Sequence, residues 1–136
     1  MEFTFSHRIR VRFAETDAMG VVHHSRYLPY LEEARVEFLR SIGHPYTSRL
    51  VDGIDYAVVE ARVAYRVPLR FDDLVTVRLG IESATRVTFT IGYELTVGDR
   101  THATASTVHA CVNADGRPVR MPPWLRELTA TAPVTD

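Results

Sequence analysis

A single cysteine, Cys111, stands among 136 residues. One thiol excludes an intramolecular disulfide and any metal site built on paired cysteines. No apolar run approaches the roughly 20 residues that cross a bilayer. Neither sign of charge dominates: 16 basic and 17 acidic residues leave a formal net charge of −1. That balance removes the electrostatic case for nucleic acid or for an anionic membrane surface. The opening "MEFTFSHRIRVRF" alternates and carries charges throughout, unlike the apolar core of a secretory signal. There is no internal repeat, linker, low-complexity tract, Gly-x-Ser-x-Gly elbow or Gly-rich nucleotide loop. A soluble cytoplasmic protein is expected, with residues 1–136 forming one domain. The 46% of apolar residues is enough for a real core.

The patterning then changes period along the chain. Phe3 to Phe13 alternates, with Phe3, Phe5, His7, Ile9, Val11 and Phe13 on one face, as a half-buried strand does. "AETDAMG" breaks it as a loop. Next, Tyr27, Leu31, Ala34, Phe38 and Ile42 recur at helical spacing, with Leu28, Arg35 and Leu39 alongside. Gly43 and Pro45 stop that helix. Its start is irregular, with Ser25 a candidate N-cap and Pro29 a candidate first helical residue. Four strands follow: Ile54 to Val67, Leu74 to Ser83, Arg86 to Val97 and Thr101 to Asn113. Gly98-Asp99 predicts a hairpin turn, Asp115-Gly116 another turn, and "MPPWLRELTA" a short terminal helix. One long helix against an antiparallel sheet is an α+β arrangement. Its unpaired edges make self-association plausible.

The chemistry gathers between that loop and the helix mouth. A helix N-terminus presents unpaired N–H groups and partial positive charge, which hold a phosphate or a developing oxyanion. An acid beside such donors acts as base or nucleophile on a carbonyl bound there. "Asp17-Ala-Met-Gly20-Val-Val-His-His24" supplies an acid, a glycine for close backbone approach and the helix mouth. The alternative is an Asp17 that caps its own turn with Gly20 permitting it, and residue types alone favour that alternative.

The block "RVRFAETDAMGVVHHSRYLPYLEEARVEFLRSIG" resembles the hotdog-fold acyl-CoA thioesterases of the 4-hydroxybenzoyl-CoA thioesterase type, especially the branch with the Tol-Pal-associated acyl-CoA thioesterase. Carrying residues are Arg12-Phe13, Glu15-Thr16-Asp17, Gly20-Val21-Val22, His24, Tyr27 and Glu33-Ala34-Arg35. "VEARVAYRVPLRFDDLVTV" and "DGRPVRMP" extend the likeness to about residues 4 to 128. One departure is Arg26, where the family often has Asn.

The resemblance implies a five-stranded antiparallel sheet wrapped around one long helix. It implies homodimers or homotetramers with active sites between subunits, and hydrolysis of an acyl-CoA to free acid and coenzyme A, CoA being part of the substrate and no cofactor needed. Asp17 matches the catalytic acid, as nucleophile or general base. His24 matches a histidine that orients the acid, water or thiolate, and its backbone N–H the donor to the thioester carbonyl. Gly20, Val21, Val22, His23 and Tyr27 fall at substrate-binding positions. Arg86 and Thr88 match a position near pantetheine and nucleotide, and Arg120 is a second candidate for the CoA phosphates. A carrier-protein thioester, a non-catalytic acyl-CoA binding module and a hotdog hydratase are the rival readings.

Other residues read as structural. Adjacent His23 and His24 point apart on a regular element and lack metal-ligand spacing, so no metal is expected. His102 and His109 fall on opposite faces of a strand. Arg35 is expected to pair with an acid from another element, and Cys111 to be a small core residue.

Overall fold

The computed structural model of the chain describes residues 2–44 and 53–130. Strands β1 (Phe5–Arg10), β2 (Asp55–Tyr65), β3 (Leu74–Ala84), β4 (Thr88–Val97) and β5 (Arg100–Val112) form one antiparallel sheet in the order β1-β3-β4-β5-β2. Helix α1 (Tyr27–Ser41) packs on it, and the short α2 (Pro123–Thr129) ends the described chain.

Alternation explains the sheet's inner face. Val75, Val77 and Leu79 of β3 are fully buried, and the register sets Val77 opposite Leu95 and Leu79 opposite Tyr93. From α1, Tyr27, Tyr30, Leu31, Ala34 and Phe38 enter this core. Leu31 has no exposed surface, so truncating it to Ala would cost about 2–5 kcal/mol. The stripe differs from its sequence expectation at three positions. Tyr30 turns inward, Leu28 is exposed, and Ile42 lies one residue past the helix at the surface.

Both helix ends have a chemical cause. A one-turn 3-10 helix (His24–Arg26) runs into α1, and His23, not Ser25, caps it: its Nδ1 accepts from the Ser25 N–H at 3.1 Å. Pro29 is the third residue of α1 rather than the first. It still costs no backbone bond there, because the first four N–H groups have no intrahelical acceptor. At the other end Gly43 takes φ +84, the Gly43 N–H donates to Arg40 O, and the His44 N–H donates to Leu39 O. This is the Schellman stop. Pro45 lies outside the described residues.

The first strand is shorter than the alternation predicted. The Val11 N–H still bonds Asp73 O, but Phe13–Glu15 then winds into a 3-10 turn. Phe13 is consequently 75% exposed, edge-on to Phe71 at 5.7 Å, instead of buried. The edge strand β2 also shows apolar residues to solvent, among them Val58, Val59 and Tyr65. Pro122 and Pro123 open α2 as the sequence predicted.

Candidate active site

Asp17 begins a tight turn. Its N–H donates to Val21 O at 2.8 Å and its carbonyl accepts from the Gly20 N–H at 2.9 Å. Gly20 adopts φ +80, a conformation that disfavours side chains with a Cβ, although a Cβ there would meet no atom within 4 Å. Conformation, not close approach, selects the glycine. The Asp17 Oδ1 accepts from the Met19 N–H at 2.9 Å and, more weakly, from the Val21 N–H at 3.4 Å. The carboxylate is exposed and caps its own turn. Val22 pins the turn to the body: its side chain is in the core and its N–H donates to Leu69 O at 2.7 Å.

Beneath this turn lies a buried carboxylate. Glu15 accepts from the Arg12 N–H at 2.9 Å, the Tyr30 hydroxyl at 2.8 Å and the Arg12 guanidinium at 3.2 Å. Burial alone would raise its pKa, but these donors together hold it below the ordinary value. Tyr30 is pushed the other way, by burial first and by the Glu15 bond second. Sequence reasoning passed over Tyr30. Its one available signal was a tyrosine one turn past Tyr27, at a position the apolar stripe did not need.

At the helix mouth, the Ser25 N–H bonds the His23 ring and the Arg26 N–H bonds His23 O. Among the described residues no acceptor takes the His24 N–H. The rings of His23 and His24 do not point apart. They lie 4.0 Å from each other at 34°, because the segment is a 3-10 turn rather than a regular helix or strand. Tyr27 is buried, edge-on to Tyr65 at 4.8 Å. Among the described residues no hydrogen bond joins the Asp17 carboxylate to this mouth, though both belong to one loop.

A second feature lies at the far half of α1. A cavity of about 280 Å³ opens between α1, the start of β2 and α2, walled by Phe38, Tyr56, Phe89, Trp124, Arg35 and His109 among others. Among the described residues Arg35 does not form the expected ion pair with an acid. Its Nη1–H donates to the Tyr93 hydroxyl at 3.2 Å, and Tyr93 shares a 2.6 Å bond with Thr107. Thr107 meets His109 Nε2 at 2.8 Å. Burial first, and the Arg35 charge second, lower the His109 pKa to about 4. A neutral His109 accepts from Thr107, so the hydroxyls all donate in one direction away from Arg35. His102 is also buried, its Nδ1 3.1 Å from Pro68 O, beside a shift in the β4–β5 register that interrupts simple alternation. Burial raises the Cys111 thiol to about 11, as suits a core residue.

The remaining predicted residues sit together elsewhere. Arg86 and Arg120 are both exposed, and the Met121 N–H bonds Arg86 O at 3.3 Å. Thr88 closes the β3–β4 turn through a 2.6 Å bond between its hydroxyl and that of Thr85. This is the end of the sheet where Ala84 pairs with Phe89 and Asp55 with Val112. Asp17 belongs to the opposite end, beside Leu69 and the start of β3. One protomer therefore separates the two halves of the predicted site.

Residues 11–128 match the family model described as the thioesterase-like superfamily. The chain belongs to that superfamily. A relative from Aquifex aeolicus, named as an esterase, is 43% identical over 124 residues, covering 91% of this chain and 96% of that one. The acyl-CoA thioesterase YbgC of Haemophilus influenzae is 31% identical over 120 residues, covering 87% and 88%. Among solved structures, a 1,4-dihydroxy-2-naphthoyl-CoA thioesterase from Synechocystis superposes with a TM-score of 0.82 at 25% identity, covering 91% and 94%. The five-stranded antiparallel sheet with its helix is thus the hotdog fold of this thioesterase superfamily. Among the described residues no group of three or more His, Cys, Asp or Glu is placed to hold a metal, and no helix is long and apolar enough to cross a membrane.

Proposed function

We propose that this thioesterase-superfamily chain, acting as one domain in the cytoplasm, hydrolyses acyl-CoA thioesters to a free acid and coenzyme A. The observation that carries this reading is an exposed carboxylate, Asp17, on a loop whose other end offers the uncommitted His24 N–H. In the reading, that N–H polarises the thioester carbonyl. Asp17 either takes a proton from the attacking water or attacks the carbonyl itself, forming an anhydride that water opens. In both routes the C–S bond breaks and the departing thiolate takes up a proton. The His24 ring orients the acid or the thiolate. Water is the only co-reactant, so no cofactor is called for.

Gly20, Val21 and His23 line the reacting groups, while Val22 and Tyr27, both buried, shape the wall from behind. The separation of Asp17 from Arg86, Thr88 and Arg120 supports a homo-oligomer with interfacial sites. Two copies pairing antiparallel through the exposed β2 edges, centred near Glu60, would set Asp55 of one beside Tyr65 of the other. Each copy's phosphate-binding arginines then reach the Asp17 loop of its neighbour. The assembly is a dimer or a pair of dimers. The same proposal places the chain with the 4-hydroxybenzoyl-CoA and Tol-Pal-associated thioesterases.

Thiol release from aromatic and aliphatic acyl-CoAs, with the native chain and Asp17→Asn side by side, tests the reading. Asn keeps the acceptor that caps the turn, so the variant folds alike and only the charge is lost. Cleavage of at least one thioester, slowed about 10³-fold in the variant, is expected. Binding without cleavage would leave an acyl-CoA binding module. Cleavage only on a carrier protein would move the substrate class.

A further inference from the structure

We propose that α2 is a specificity element, and that Trp124 forms the end wall of the acyl pocket and limits the acyl group to about twelve carbons. The inference rests on the thioesterase reading and adds to it where the acyl group lies and how large it is.

The cavity beside α1 has the right character. Phe38, Tyr56, Ile81, Phe89 and Leu125 make most of its wall apolar; Glu32, Arg35, Asp55 and His109 are charged or polar, and Arg35 and His109 are held in one chain of bonds. Its size sets the limit. A dry cavity of about 150 Å³ accepts benzene, so about 280 Å³ accommodates about twice that many carbons. Two fused rings or a medium chain fit within the walls, and a sixteen-carbon chain would extend past them into solvent.

Placement gives the cavity a route to the chemistry. The cavity takes in Asp55 to Val58 at the start of β2. Pairing of two β2 edges about Glu60 brings the Val63 to Tyr65 segment of a second copy alongside it. Tyr65 packs on Tyr27, the first residue of α1. The mouth of the second copy's helix therefore stands next to this cavity.

The end wall is braced. The Trp124 indole stacks on His44 at 3.9 Å and 14°, and meets Tyr56 edge-on at 6.1 Å. Leu125 beside it is buried, and α2 is tied back through the Met121 N–H to Arg86 O. A wall held on several sides resists being pushed aside by a longer chain.

Trp124 is the only tryptophan in the chain, so its emission reports on this cavity alone. Non-hydrolysable thioether analogues of acyl-CoA, bearing a terminal bromine on six-, ten- and sixteen-carbon chains, are titrated with calorimetry and fluorescence in parallel. The six- and ten-carbon analogues should bind and quench Trp124, and the sixteen-carbon analogue should bind at least tenfold more weakly than the ten-carbon one. Trp124→Ala should erase that tenfold gap, and Trp124→Phe should narrow it. Binding by calorimetry with unchanged Trp124 emission would overturn the pocket assignment while leaving the thioesterase reading intact. An unaltered chain-length order in both variants would overturn the end-wall role. Calorimetric silence with every analogue would remove the acyl-CoA reading and the pocket together.

Discussion

The two halves of α1 are served by opposite kinds of polar cluster. Near its start, Arg12, Glu15 and Tyr30 surround a carboxylate that stays charged although buried. In its second half, Arg35, Tyr93, Thr107 and His109 form a chain whose histidine is held neutral. Three donors converge on Glu15, and that outweighs its desolvation. Among the described residues no anion pairs with His109, which faces a guanidinium through two hydroxyls, so desolvation wins. The charged cluster lies near the exposed Asp17 turn, and the cluster with the neutral histidine borders the largely apolar cavity. A carboxylate keeps its charge where three donors meet it, and a histidine loses its charge where burial and a guanidinium act together.

Substitutions can break this comparison at either end. The largest effect is expected at Asp17, where Asn removes charge but not the cap, and hydrolysis should fall about 10³-fold with the melting temperature nearly unchanged. The next belongs to the neutral cluster. An unfolded histidine titrates near 6.5 and the folded His109 near 4, so the unfolded state binds the extra proton between those values. Stability should fall as pH drops through that window, by roughly 3 kcal/mol, and flatten below it. Urea unfolding at successive pH values reads the slope, and His109→Phe should reduce it. Glu15 differs in window. Its lowered pKa gives stability above the ordinary carboxylate value, lost only as pH falls through the folded one. A native protein whose acid sensitivity lay wholly below pH 4 would undo the distinction.

Tyr30→Phe should cost about 1–3 kcal/mol by taking one donor from buried Glu15. It should lower the hydrolysis rate through a looser Asp17 turn while leaving the His109 slope untouched. Gly20→Ala is the smallest, about 1–2 kcal/mol, because only the backbone conformation opposes it.

Much of this molecule was legible in its residues. Val87 to Val97 alternates and is largely β4; Pro122 and Pro123 start α2; Gly43 ends α1. The sequence left the Asp17 turn open between a cap and a catalytic acid, and the cap is what the protomer displays. Phe13 misled because alternation continues into it, whereas the chain turns to set Glu15 under Tyr30. Arg35 misled because an arginine beside an apolar stripe implies a carboxylate, and a tyrosine hydroxyl serves instead.

Local chemistry alone determined the elements, the stop of α1 and the Asp17 turn, since each depends on residues a few positions apart. The tertiary structure decided which groups meet across the sheet. Thr107 and His109 reach Tyr93 through the β4–β5 register, and Trp124 joins α1 and β2 in lining one cavity. Those contacts depend on strand register and helix docking, which many side chains set together and no short stretch of sequence specifies.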